Sequence, residues 1–175
     1  YDDAGAILRL SDKQIRALNG IGIKTVSFNK LGYKFSLGYN FRDHRKIVSI
    51  DGQVGYTGGG NIGDNYINTD DNDIYWKDCA VRIEGEGAWS LTTMFLSVWE
   101  LLINDDDDYA QYKPDFKHSD KINPSNGIVQ AFSDGPITSE LMTENIFLNM
   151  IYSAKDYIYI KTPYLILGNK LQSAL

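Results

Sequence analysis

Residues 44–61 read HRKIVSIDGQVGYTGGGN. Two β-rich runs, KIVSID (46–51) and QVGYTG (53–58), meet across Asp51-Gly52, a dipeptide typical of tight hairpins. On a strand, alternate side chains share a face. Carried back through the first run, that alternation sets His44, Lys46, Val48 and Ile50 on one side and Arg45, Ile47, Ser49 and Asp51 on the other. A histidine and a lysine on one face suit an anion. A neutral imidazole can attack phosphorus, while an ammonium offsets the charge on the non-bridging oxygens. Asp51 faces away and takes a scaffold role, hydrogen bonding at the strand end. The glycines that follow, Gly58, Gly59 and Gly60, allow the backbone to approach closely, and Asn61 adds an amide donor for the same oxygens.

Outward from the hairpin, residues 11–19 (SDKQIRALN) predict a short helix capped by Ser11 and ended by Gly20 and Gly22. IKTVSFN (23–29) is β-rich, INTDDND (67–73) is a polar loop, and YWKDCAVRIEG (75–85) alternates as a strand would. Leu91, Phe95, Val98 and Leu102 recur at spacings 4, 3 and 4, which predicts an amphipathic helix from Glu86 to Ile103. Residues 104–127 lack periodicity, carry Pro114 and Pro124 with four consecutive aspartates, and predict a linker or long surface loop. The pattern then restarts as strand (GIVQAFSD), helix (TSELMTENIFLNMIYSAKD, with Thr138 and Ser139 as cap candidates) and strand (YIYIKTPY). A strand–helix–strand unit of this length implies parallel pairing in an α/β sheet. A domain boundary is expected near 120–126.

The chain has 175 residues, 43% of them hydrophobic, with 12 tyrosines and 7 phenylalanines, a net charge of -6 and one cysteine, Cys79. That composition is globular and large enough for one core and a fraction more. The acidic balance repels a polyphosphate backbone overall and weighs against nucleic acid as a partner. One cysteine excludes an internal disulfide and fits a reducing compartment. No apolar run approaches the ~20 residues of a membrane span, and no signal peptide is visible, so the chain itself is expected to be soluble. It opens on YDDAG without an initiator Met and closes within NKLQSAL, as an excised piece of a longer protein would.

The spacing H-x-K-x4-D followed by GGxN, in His44, Lys46, Asp51, Gly58, Gly59 and Asn61, resembles the motif of the phospholipase D superfamily. The flanks NFRDHRKIVSIDGQVGYTGGGNIGDNY, IYWKDCAVRIEGEGAW and IYSAKDYIYIKTPYLI are similar to the bacterial cardiolipin synthases of that superfamily, and the similarity runs over nearly the whole chain. This resemblance implies an α/β fold, a phospholipase D-like α-β-α sandwich with a mixed sheet, present as an incomplete fragment. Residues 1–122 would be most of the first domain and 123–175 the start of a second. It implies a phosphatidyl transfer in two steps through a phosphohistidine, joining two phosphatidylglycerols to cardiolipin with release of glycerol. His44 would be the nucleophile, Lys46 and Asn61 the phosphate clamp, and Asp78 the carboxylate that orients the imidazole through its other nitrogen. An acid partner is what a nucleophilic imidazole needs to hold one tautomer. No metal or cofactor is required on this pattern.

The family carries two such motifs, the second histidine serving as general acid and then base. Here the other histidine is His118, in FKHSDKIN, with no lysine two residues on. The second motif is expected from a missing C-terminal part or from a dimer mate, and the isolated fragment is expected to be inactive. The family's membrane attachment implies a bacterial cytoplasmic membrane for the parent protein and phosphatidylglycerol as its lipid partner. Thr162 and Tyr164 would reach the substrate cleft, since the carboxyl ends of parallel strands line a crevice; alternatively, Pro163 merely ends the strand.

Two other functions compete: a phosphodiesterase or nuclease using the same chemistry, and a half-domain that binds anions or lipid headgroups without turnover. Several features read better as structure. GGGNIG satisfies GxGxxG through Gly58, Gly60 and Gly63, with Glu84 beyond it, but the polar residues after it predict no packed helix of the kind a dinucleotide fold needs. Asp105 to Asp108 lack the Gly and terminal Glu of a calcium loop and form a solvated run. Glu84 is expected to end a strand, and Glu86 to begin a helix. His118 is expected to be an exposed loop residue. Cys79 is expected to be a small buried hydrophobe.

Overall fold

The Asp51-Gly52 hairpin forms as its turn residues dictate. Strands β1 (Ile47–Ile50) and β2 (Val54–Gly58) pair antiparallel, Ile47 opposite Thr57 and Ile50 opposite Val54. The Gln53 N–H donates to the Ile50 carbonyl at 3.0 Å. Asp51 and Gly52 both adopt left-handed φ, 53° and 66°, a conformation that Asp tolerates and Gly adopts freely. Strand β3 (Ala80–Glu84) pairs antiparallel on the other side of β2, giving the order β1-β2-β3. The computed structural model describes residues 1–6, 9–30, 42–69, 74–104, 107–116, 128–135, 140–162 and 164–175.

One face of this sheet carries Ile47 and Ser49 from β1, Gly55 and Thr57 from β2, and Ile83 from β3, and helix α3 (Glu86–Ile103) lies on it. The helices before it are α1 (Asp3–Ala6) and α2 (Asp12–Gly20). Ile83, Ala88 and Leu91 form the buried centre, with Ile47, Met94 and Ala131 packed around it. Gly55 makes this closeness feasible: a Cβ there would stand 2.8 Å from Leu91 Cδ1 and 3.6 Å from the Cα of Ala88. The Ser49 hydroxyl meets Thr92 Oγ1 at 2.6 Å, and Thr92 donates on to the Ala88 carbonyl at 3.1 Å. This short polar chain ties β1 to the helix while leaving no hydroxyl of the pair unsatisfied.

The opposite sheet face carries Val48, Ile50 and Tyr56, all partly exposed, and Arg82, which pairs with Glu84 and donates from Nε to the Tyr56 hydroxyl at 2.9 Å. Helix α3 is amphipathic as its spacing predicts, but Phe95 is exposed and stacks on Trp99 at 5.7 Å instead of entering the core. Among the described residues the three strands do not cover its whole apolar stripe.

Several expectations are corrected. The first strand starts at Ile47, so residues 42–46 are irregular and alternation does not set their faces. IKTVSFN forms no strand; among the described residues its ladder contact is a parallel bridge between Asp2 and Phe28. Only Ala80–Glu84 of the run 75–85 is a strand, and Cys79, just ahead of it, is exposed rather than buried. No strand forms among the described residues of 128–134 and 157–164, so the expected parallel pairing is not present there. β-Branched composition suits a pleated surface, but a strand exists only where a partner receives its backbone hydrogen bonds. The sheet among the described residues is antiparallel throughout, and the fold is α/β in content.

The start of the expected linker is packed. Residues Tyr109–Tyr112 form a 3-10 turn, and Tyr112 O and Pro114 Cδ lie 3.2 and 2.9 Å from where a Cβ on Gly52 would stand. Asp107 accepts from Gln111 Nε2 and the Tyr112 hydroxyl at 2.6 and 2.7 Å, and Asp108 caps the turn through Ala110 N. The expected boundary at 122/123, His118, Asp105, Thr138, Ser139 and Pro163 lie outside the described residues.

The chain divides into two compact units, Tyr1–Ala131 and Phe132–Leu175. In the second, α4 (Met142–Ser153) and α5 (Asn169–Ala174) are joined by an ion pair of Lys170 with Glu144 at 3.2 Å. Asp134 supplies the α4 cap, accepting the Thr143 N–H at 2.7 Å. Among the described residues no helix is long and apolar enough to cross a membrane.

Candidate functional site

Antiparallel pairing places the start of β1 beside the end of β2, and the end of β2 beside the start of β3. Lys46, Gly58, Gly59 and Asp78 are thereby gathered at one end of the sheet, although 32 residues of sequence separate the first from the last. Gly58 sits opposite Ala80, and Gly59 N–H donates to the Cys79 carbonyl at 3.2 Å. A side chain at Gly59 would collide with the Asp78 carboxylate, and one at Gly58 with the Cys79 carbonyl. Bare backbone is therefore needed to bring the carboxylate this near. Asp78 Oδ1 also accepts the N–H of Cys79 at 2.8 Å.

Lys46 is half-buried, and its ammonium donates to the carbonyl of His44 at 2.6 Å. Burial holds its pKa below the usual lysine value, while Asp43 and Asp78 oppose that shift by stabilising the cation. The histidine itself is exposed at the head of this segment. Asn61 follows the glycines, its Nδ2 donating to the Tyr66 hydroxyl at 2.7 Å. Asp51 lies in the turn at the far end of the hairpin, away from the corner. Thr162 and Tyr164 belong to the second unit, where the Thr162 hydroxyl accepts from Tyr164 N at 3.1 Å.

The irregular segment leading to His44 is held by residues that local patterns did not single out. Arg45 forks onto Asp43, with Nε–Oδ1 at 2.9 Å and Nη2–Oδ2 at 2.7 Å, and its N–H adds a third bond at 3.0 Å. Partial burial would raise the Asp43 pKa, but the Arg45 hydrogen bonds and charge outweigh it and hold the carboxyl below its ordinary value. Asp2 accepts the Asp43 N–H on one oxygen at 3.1 Å, and on the other meets the Ala4 N–H at 3.0 Å and Arg42 at 3.5 Å. The Asp43-x-Arg45 spacing could have signalled the fork. Nothing local could have signalled Asp2, which acts across 41 residues.

Among the described residues after the glycines the chain makes a 3-10 turn, Asp64–Tyr66, and no helix of the dinucleotide type before β3. Glu84 ends β3 and Glu86 opens α3, as expected. The fold defines an α/β protein whose sheet brings Lys46, the Gly58–Gly59 backbone and Asp78 to one end.

The chain is similar, from end to end, to a segment of bacterial proteins named cardiolipin synthase. It is 35% identical over 180 residues to the probable cardiolipin synthase YwiE of Bacillus subtilis and 32% identical over 175 residues to the cardiolipin synthase of Oceanobacillus iheyensis, matching 100% of this chain and 34% and 35% of theirs. It is also 41% identical over 175 residues to an uncharacterized protein of Streptococcus mutans serotype c, covering 37% of that protein. The chain thus spans about a third of the length of the curated relatives it matches. No family model matches the chain. No solved structure matches it.

Proposed function

We propose that the protein carrying this chain is a phosphatidyl transferase of the cardiolipin synthase kind, acting on phosphatidylglycerol at a bacterial cytoplasmic membrane. The observation that carries the proposal is the end-to-end match to proteins of that name, with Lys46, Gly58, Gly59 and Asp78 gathered at one sheet end in support. In the first step the His44 imidazole attacks phosphorus; an N–P bond forms, the P–O bond to glycerol breaks, and a general acid protonates the leaving oxygen. In the second, the terminal hydroxyl of another phosphatidylglycerol attacks the phosphohistidine, the N–P bond breaks, and the same group accepts the proton. Lys46 and Asn61 hold the non-bridging oxygens, Gly58 and Gly59 let the backbone approach, and Asp78 orients His44. Asp51 keeps the hairpin turned. The general acid comes from a second motif, outside these residues or in a second copy, and no metal takes part.

The test is to assay the full-length protein in phosphatidylglycerol membranes beside His44→Ala. Cardiolipin and free glycerol from the wild type alone are expected. Phosphatidic acid as the sole product would make the enzyme a hydrolase. No lipid turnover, with cleavage of a nucleic-acid phosphodiester, would replace the proposal with a nuclease.

A further inference from the structure

An amide presents two opposite edges, and only its NH2 edge suits an anion. Asn61 is exposed, so its orientation depends on what grips it. Its Nδ2 lies 2.7 Å from the Tyr66 hydroxyl oxygen, which occupies one amide hydrogen and leaves the other free to point elsewhere. Because the phenol oxygen accepts this bond, the phenol retains its own hydrogen to donate. Tyr66 is itself anchored. Its ring packs against Trp76 at a centroid distance of 5.0 Å and an angle of 40°. Asn68, in a left-handed conformation at φ 48°, clips the Trp76 backbone from both sides: Nδ2 donates to the carbonyl and Oδ1 accepts the N–H, each at 2.7 Å. A continuous chain of contacts therefore runs from Asn68 through Trp76 and Tyr66 to Asn61.

We infer that Tyr66 is a positioning residue for the oxyanion site: it fixes the Asn61 amide with its NH2 edge toward the phosphoryl oxygens. The inference rests on the role given to Asn61 under the proposed function. Pre-organising one side chain saves its ordering on binding, which corresponds to roughly a three- to tenfold gain in affinity.

The experiment measures inorganic phosphate binding to the full-length protein by calorimetry, for the wild type, Tyr66→Phe, Asn61→Ala and the double variant. Phenylalanine keeps the ring on Trp76 and removes only the hydroxyl. The expected result is a three- to tenfold weakening for Y66F in the wild-type background and no further weakening when it is added to N61A. Equal weakening in both backgrounds marks a general structural effect and overturns the inference, as does an unchanged affinity in Y66F or a wild type that does not bind phosphate. Turnover of phosphatidylglycerol is measured separately. Should turnover be absent while the phosphate cycle remains coupled, the transferase proposal falls and the role of Tyr66 stands.

Discussion

Replacing Gly55 by alanine tests how the sheet meets its helix. The new methyl would lie 2.8 Å from Leu91 Cδ1 and 3.6 Å from both Cα and Cβ of Ala88. Carbon atoms pack best about 3.5–4.0 Å apart, so the second distance is ordinary and the first is short by most of an ångström. Leu91 is 4% exposed, and Ala88 beside it is fully enclosed, so neither can simply swing into solvent. Overpacking of this kind costs about 1–3 kcal/mol. Leu91→Ala removes the obstacle and by itself costs about 2–5 kcal/mol. In that background the short contact is gone and the 3.6 Å approach to Ala88 is ordinary, so G55A should be close to neutral there. The coupling between the two substitutions is therefore expected to be about 1 kcal/mol or more, with the double variant more stable than the sum of the singles. Urea unfolding followed by Trp fluorescence would measure it, since Trp89 stands on the same helix. An identical cost for G55A with and without Leu91 would refute the packing account.

Gly59→Ala should displace the Asp78 carboxylate, on which its methyl would fall; on the proposed mechanism, turnover drops by about two orders of magnitude or more, as when an orienting carboxylate is lost, while the unfolding midpoint moves little because Asp78 is exposed. Asp43 has its carboxyl held below the ordinary value, so its contribution to stability is complete above the unfolded carboxylate pKa of about 3.9 and is lost as pH falls through the lowered folded value. Asp43→Asn should therefore flatten the acid limb of a stability–pH curve, and an unchanged limb would contradict the fork with Arg45. Asp134→Ala should speed amide exchange at Thr143, whose N–H it accepts, without changing exchange in the middle of α4.

What could be read from the sequence was local. The Asp51-Gly52 turn, the Ser11 cap and the α3 periodicity all depend on neighbours a few residues apart, and all three form. The Ser11 cap is fuller than expected, since Gln14 bonds back to complete a capping box. Lys46 and the glycines after the hairpin were legible as an anion site from their own chemistry, whereas Asp78 was legible only through resemblance, because strand pairing brings it to them across 32 residues of sequence. Alternation failed for His44 and Lys46 because the strand begins after them. IKTVSFN and YIYIKTPY have the composition of strands, yet composition does not supply a facing partner. Asp2 and Asp134 act at a distance, one across 41 residues and the other across nine, and their side chains gave no local sign of it.

The bond from Gly59 N–H to the Cys79 carbonyl also makes the stretch between them a closed excursion, sealed at its neck. The corner residues lie at that neck rather than along the excursion. Closure entropy grows only as the logarithm of loop length, about 0.6 kcal/mol per doubling. Residues added to this stretch without breaking the Asn61–Tyr66–Trp76–Asn68 contacts are thus thermodynamically cheap and leave the register of β2 and β3 untouched. On the proposed function, the corner can stay in place while the length of this stretch changes.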